Sequence, residues 1–224
     1  MMIEIKQIQK KYKKKAVLTD INLDVQEGSC VGILGGNGSG KSTLLSILAG
    51  VQKADNGSFL WGGADLFKNE KIREEILGYV PQGNPLMEEL TAWDNLRLWY
   101  EKDELKKELD GGVLDMLGIP DFLKVPVRKM SGGMKKRLSL ACALLDAPQI
   151  LLMDEPFAAL DLPAKQDAMQ FMRYYLSLGN SIVIASHEEA VFQFCHTVYL
   201  LKNGTLFDAS HLPEGTNYID LLRN

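Results

Sequence analysis

An α/β fold is what this sequence predicts: a core with a mainly parallel sheet, an N-terminal antiparallel β-subdomain and an inserted helical subdomain. Three observations predict it. Val31–Leu34, Ile150–Met153 and Ile182–Ala185 are short apolar runs, the pattern of strands covered by helices on both faces. Ile3–Ile8 and Ile21–Val25 instead alternate apolar and polar residues, as strands with one buried face do. Between Pro85 and Leu145 the texture is helical, so helices are inserted among strands that otherwise alternate with helices.

The elements follow in order. After the two alternating strands comes Val31–Leu34, then a helix over Ser42–Ala49 closed by Gly50 at its C′ position. Ser58–Trp61 is a fourth strand, and Tyr79-Val80 leads into Pro81-Gln82. Thr91 is placed to cap a helix over Ala92–Glu101, and Glu104–Leu117 continues in helix-forming residues interrupted by Gly111-Gly112. Ser131 caps a further helix with Leu138, Cys142 and Leu145 on one face. A helix over Pro163–Leu178 stops at Gly179. Val198–Lys202, Asn203-Gly204 and Thr205–Phe207 spell a hairpin with a favoured two-residue turn. One domain of 224 residues results, with residues 1–84 and 147–224 as core and β-subdomain and 85–146 as helical subdomain.

The chemistry is concentrated in Gly35-Gly36-Asn37-Gly38-Ser39-Gly40-Lys41-Ser42, which reads GxxxxGK[ST] between a strand and a helix. This is the phosphate-binding P-loop of nucleoside triphosphatases. Glycines let the backbone wrap close to phosphate oxygens, so that amide N–H groups form an anion nest, and the following helix adds its positive end. Lys41 is expected to reach the β- and γ-phosphates, Ser42 to hold Mg²⁺, and Thr43 to continue the nucleotide contact. The bland alternative is a Gly-rich surface loop, which the flanking strand and helix argue against.

A P-loop needs an acidic partner. Asp154 and Glu155 end the apolar strand Ile150–Met153, and ligands of open α/β sheets bind beyond the carboxyl ends of strands. Asp154 is expected to bind Mg²⁺ and Glu155 to polarise the attacking water as general base. The alternative for the pair is two acids facing solvent. His187 follows another strand at the same edge; read alone it is a γ-phosphate contact or a surface histidine at a helix start.

Composition narrows the partners. A net charge of −4 gives no global basic field to recruit nucleic acid. The run Lys10-Lys11-Tyr12-Lys13-Lys14-Lys15 is a solvated turn beside an anionic ligand, or a nucleic-acid or anionic-lipid patch. Three scattered cysteines make no metal or redox spacing and suit a reducing cytosol. The N-terminus lacks the apolar core of a signal peptide, and no run approaches the ~20 apolar residues of a membrane span. Work at a membrane would therefore need another chain to cross it.

Taken in order along nearly the whole chain, these residues resemble the nucleotide-binding subunits of ATP-binding cassette (ABC) transporters. Met130-Ser131-Gly132-Gly133-Met134 is similar to the family signature LSGGQ. The resemblance implies that Ser131, Gly132 and Gly133 cap the γ-phosphate held by the P-loop of a second copy, in a head-to-tail dimer with two sandwiched ATP molecules. It implies a Q-loop role for Gln82, touching Mg²⁺ or water and sensing the membrane partner. It implies a D-loop over Ala158–Asp161, with Asp161 reaching across the dimer, and the switch role for His187. It implies that Tyr12 stacks on adenine. The partners so implied are a separate transmembrane permease subunit and a second cassette, identical or different, and the place is the cytoplasmic face of a membrane. Two departures stand out: Met134 replaces the signature glutamine and Ala158 the frequent D-loop serine. Met134-Lys135-Lys136-Arg137 resembles a branch of exporter subunits for drugs, lipids or polysaccharides, and the chain ends soon after the hairpin, without the regulatory domain of some importer subunits. Leu86, Met87, Leu90 and Trp93 are candidates for docking the permease, or core. The rival readings are a soluble cassette acting on nucleic acid or ribosomes, and a kinase or GTPase with a P-loop. The first lacks coiled-coil insertions or a second cassette; the second lacks Asn-Lys-x-Asp and leaves the signature unexplained.

Overall fold

The computed structural model describes residues 2–144, 147–158, 160–188, 191 and 194–209. Leu145, named above on the helix face, and Ala159 of the D-loop lie outside the described residues. One curled sheet of ten strands organises the chain, in the order β5-β4-β1-β2-β10-β9-β3-β8-β7-β6.

Its outer part is antiparallel: β1 (Ile3–Tyr12) pairs with β2 (Lys15–Val25) and with β4 (Asn56–Trp61), which pairs with the short β5 (Ala64–Asp65). Both long strands outrun the alternation that predicts them. The lysine run closes the β1–β2 hairpin at Lys13 and Lys14, with Tyr12 facing Lys15. The inner part is parallel, with β3 (Cys30–Leu34) between β9 (Thr197–Lys202) and β8 (Ser181–Ser186), followed by β7 (Ile150–Asp154) and β6 (Leu77–Val80). Every residue of β3, β7 and β8 is buried, the physical reason their sequences are almost wholly apolar. The Asn203-Gly204 turn joins β9 to β10 (Thr205–Asp208), and Thr205 meets Asp20 of β2 in parallel, so the two parts form one continuous sheet.

Helices cover the sheet. Helix α1 (Lys41–Leu48) follows β3 and buries Leu44, Leu45, Ile47 and Leu48. Helix α2 (Glu70–Ile76), not foreseen from the sequence, precedes β6. Between β6 and β7 lie α3 (Ala92–Leu96), α4 (Lys102–Leu109), α5 (Val113–Met116) and α6 (Gly132–Ala143), with two single 3₁₀ turns. Thr91 caps α3 in a full capping box with Asp94. The helix expected over Ala92–Glu101 ends at Leu96, however. Beyond it Leu98 and Trp99 donate to carbonyls three residues back, while Tyr100 buries its ring and donates its hydroxyl to the Ala141 carbonyl at 2.9 Å. The spacing tightens to three residues at Leu98 and Trp99 and returns to four at Tyr100, whose N–H donates to the Leu96 carbonyl at 2.8 Å, and the Tyr100 hydroxyl ties this segment to α6. Gly111-Gly112 separates α4 from α5, as the sequence indicates. Ser131 caps α6, its hydroxyl accepting from the Met134 N–H at 3.2 Å. Helix α6 packs hard on β6: a Cβ at Gly78 would stand 2.3 Å from the Ala143 carbonyl oxygen, so only glycine permits this approach. Helix α7 (Leu162–Ser177) starts one residue before the expected Pro163 and is followed by β8.

Candidate functional site

The carboxyl ends of β3, β7 and β8 meet at one edge, and the chemistry-bearing residues converge there. β3 runs straight into the phosphate loop, which turns into α1 at Gly40, whose φ of +111° disfavours any side chain and where a Cβ would press on Val17 and Leu18 of β2 at 3.0–3.3 Å. A cavity of about 400 Å³ opens over this loop, lined by Tyr12, Val17, Gly36, Asn37, Gly38, Ser39, Gly40, Lys41, Ser42, Thr43, Gln82 and Glu155. Gly35 lies behind it; a Cβ there would sit 2.5 Å from the Ser39 hydroxyl.

Lys41 is almost fully buried. Its ammonium donates to the carbonyls of Gly35 (2.7 Å) and Gly36 (3.3 Å) and stands 3.5 Å from the Glu155 carboxylate. Glu155 follows β7 directly, with φ at +49°, a left-handed conformation unusual for a non-glycine residue. Its N–H donates to the Ala185 carbonyl at 2.8 Å, which pins the backbone against β8. Its two carboxylate oxygens have separate partners: Oε2 accepts from the Ser186 hydroxyl at 2.9 Å, and Oε1 meets His187 Nδ1 at 2.9 Å. Ser186 also accepts from the Glu188 N–H at 3.1 Å, and Glu188 pairs with Lys165 of α7 at 2.7 Å.

Asp154 is buried, and burial lifts its carboxyl above the ordinary range; the Ser42 hydroxyl beside it, with Lys41 and Lys136, opposes this, and the Glu155 charge adds to it. One of its oxygens, Oδ1, has no hydrogen-bond partner. An orphaned buried carboxylate oxygen beside the hydroxyl of Ser42, itself a cavity-lining residue, fits a hard divalent cation, which would reverse the cost of its burial.

The remaining candidates divide. Tyr12 and Gln82 line the cavity; Tyr12 is 44% exposed, its hydroxyl donates to the Gln52 side chain, and the Lys10 ammonium lies 5.7 Å from its ring centre. Ser131, Gly132, Gly133 and Asp161 are not among the lining residues. Ser131, Gly132 and Asp161 are exposed, and Asp161 caps α7 by accepting from the Ala164 N–H at 3.0 Å. Sequence reasoning missed Val17, Ser186 and Lys136. Ser186 carried a signal, as the last polar residue of an apolar strand immediately before His187; Lys136 carried none.

A glycine-built anion cradle, a buried lysine within it and acids at the neighbouring strand end define a P-loop nucleoside triphosphatase. Comparison with known proteins narrows this. The pattern of the family described as ABC transporter matches residues 18–158. Nod factor export ATP-binding protein I of Sinorhizobium fredii is 34% identical over 208 residues, 90% of this chain and 60% of that protein. A probable sulfate/thiosulfate import ATP-binding protein of Chlorella vulgaris is 33% identical over 221 residues, 96% of this chain and 93% of that protein. The chain therefore spans about three fifths of the first relative's length and nearly all of the second's. Among solved structures, the ATP-binding cassette MJ0796, a dimer in a post-hydrolysis state bound to ADP and Pi, superposes with a TM-score of 0.82 at 29% identity, over 91% of this chain and 96% of that one. An ATP-binding subunit of an ABC transporter gives the same TM-score, 0.82, at 27% identity over 92% and 88%. The chain belongs to the ABC transporter family, as one of its ATP-binding ATPase cassettes.

Proposed function

We propose that this chain binds ATP with Mg²⁺ over its phosphate loop, hydrolyses it, and uses the cycle to drive transport through a separate transmembrane partner. The observation that carries the reading is the contact of Glu155, in the wall of the cavity, with Lys41 and His187, a base set beside the cation that would hold the γ-phosphate. Bound phosphates would draw Lys41 away from the Gly35 and Gly36 carbonyls and from Glu155 Oε1, which would keep His187 as neighbour and could accept a proton from water, with Ser186 holding Oε2 still. The loop amides and Lys41 stabilise the charge that spreads over the transferred phosphoryl group. Ser42 and Asp154, with Gln82 at the cavity wall, are the residues that would hold Mg²⁺, which when bound neutralises charge on the phosphate oxygens.

We propose further that two cassettes close head to tail over two nucleotides. The exposure of Ser131, Gly132 and Asp161, away from their own chain's cavity, supports contacts made to the partner's nucleotide. Helix α6 presents its N-terminal end with the Ser131 cap, a site suited to phosphate. A second groove, of about 590 Å³, runs along β6 and α6, lined in part by Val51, Tyr79, Leu86 and Trp99, with Val51 and Trp99 well exposed. We assign it to a cytoplasmic segment of the permease. Of the four docking candidates only Leu86 lines it, and Trp99 is the aromatic that the sequence reading passed over. Among the described residues no helix is long and apolar enough to cross a membrane. The direction we propose is export, on the Met134–Arg137 run, though relatives named for export and for import match almost equally.

Capture of tagged protein from detergent-solubilised native membranes tests the assembly. A polytopic membrane protein at near-equal stoichiometry is the expected result, and vesicle transport assays with that complex then fix the direction. Recovery of ribosomes or nucleic acid alone, with the chain absent from membranes, would replace this reading with the soluble cassette.

Tyr12 is tested separately. Tyr12→Ala is expected to weaken ATP binding by roughly tenfold, within the ~1–3 kcal/mol that an aromatic–base stack contributes. Equilibrium binding of a fluorescent ATP analogue reads this; unchanged affinity would leave Tyr12 as a hairpin surface residue.

A further inference from the structure

Lysine is seldom buried, yet Lys136 of α6 is only 6% exposed. Its ammonium donates to the Pro81 carbonyl at 2.9 Å and to the Asp154 carbonyl at 3.4 Å. These acceptors are neighbours. The parallel β6–β7 ladder pairs Val80 with Met153, so Pro81 and Asp154 are the next positions across from one another. Proline has no N–H, so the ladder has no donor from Pro81 to continue with. The ammonium reaches both strand ends at the point where the ladder stops. Gln82 follows Pro81 directly, and Lys136 sits one turn into the helix that Ser131 caps.

We propose that Lys136 is a positioning residue for the ATPase reaction: it clamps the Q-loop to the carboxylate end of β7 and joins both to the signature helix. Gln82, Asp154 and the first turn of α6 then keep one mutual geometry beside the groove that Pro81 also lines. The proposal rests on the ATPase reading above for its catalytic consequence, and on geometry alone for the clamp.

The energetics separate this role from a merely structural one. Removing a lysine from water is costly; burial draws its pKa down to about 8 while the Asp154 and Glu155 charges pull it back up. Two charge-assisted hydrogen bonds offset that cost without a large surplus. An apolar side chain of similar length removes the cost of burying the ammonium but leaves two strand-end carbonyls without this donor, so a modest loss of stability is expected as Pro81 and Asp154 are released.

The test uses the full chain, nucleotide-free and with MgATP. In Lys136→Met, hydrogen exchange of the amides in residues 82–90 is expected to accelerate about fivefold or more while the β1–β2 amides hold their rates, with the melting temperature within about 5 °C of the parent. With MgATP, kcat is expected to fall about tenfold or more at a KM changed less than about threefold, and Lys136→Arg is expected to restore most of both effects. Unchanged exchange over residues 82–90 would overturn the clamp. A kcat within about twofold of the parent would overturn the positioning role, as would a loss of kcat that follows a large fall in melting temperature and is not repaired by arginine. Absence of MgATP hydrolysis by the parent in its isolated and permease-bound forms would overturn the function reading, and the exchange arm would still decide the clamp.

Discussion

Glu155→Gln is expected to lower kcat by about 10²–10⁴-fold, the range lost with a positioned general base, while MgATP affinity stays within about threefold of the parent. The substitution is nearly isosteric, and the surroundings accept it. The amide nitrogen can donate to the Ser186 hydroxyl, which now donates to Oε2, and the amide oxygen can remain beside Lys41 and His187. The Ser186 hydroxyl exchanges an acceptor for a donor and Lys41 keeps an oxygen beside it, so the loss of stability is expected to be small. What disappears is the capacity to accept a proton. With hydrolysis blocked, ATP should accumulate in the closed assembly, and gel filtration with MgATP should show a dimer that the parent forms only transiently. Phosphate release, equilibrium binding and gel filtration together decide the matter. A parent-like rate would remove Glu155 from the chemistry and return it to the role of a counter-ion for Lys41.

Lys41→Ala is expected to lower kcat/KM by about 10³-fold, because a unit charge acting on another about 4 Å away at an effective dielectric constant of about 20 is worth about 4 kcal/mol. Part of this appears as weaker ATP binding, since the cation meets phosphate in the ground state as well. The same change removes the donor that occupies the Gly35 and Gly36 carbonyls and leaves Glu155 without its nearest cation, so the melting temperature is expected to fall too. The two variants therefore differ in signature: Glu155→Gln separates binding from turnover with little loss of stability, whereas Lys41→Ala lowers all three. Steady-state kinetics beside nucleotide titration and thermal unfolding distinguish them. A kcat/KM within about tenfold of the parent would make Lys41 a brace of the empty loop.

How much of this was legible before folding depends on whether a contact is local in sequence. The phosphate loop was readable because its chemistry requires particular residues in one contiguous run, and so was the acidic end of β7, because an apolar strand has few reasons to finish in two carboxylates. The buried strands β3, β7 and β8 were readable from their lack of polar residues, which burial on both faces imposes. Contacts made by topology were not readable. Ser186 reaches Glu155 across 31 residues, and Lys136 reaches Pro81 across 55, only because β6, β7 and β8 lie side by side. The parallel meeting of β10 with β2 likewise depends on where the last hairpin folds back. Helix α3 illustrates the converse: local propensity continues past Leu96, yet Leu98 and Trp99 bond to carbonyls three residues back instead of four.

The left-handed backbone at Glu155 has a bearing on how this chain can change. A side chain at φ +49° is disfavoured, and glycine relieves that cost more cheaply than any other residue. That relief comes with a loss beside it, because glycine would also leave the buried Lys41 ammonium and the Ser186 hydroxyl without the carboxylate they face. The strained backbone is thus held in place by the neighbours of the side chain it carries, and a change that relaxes the one strands the others.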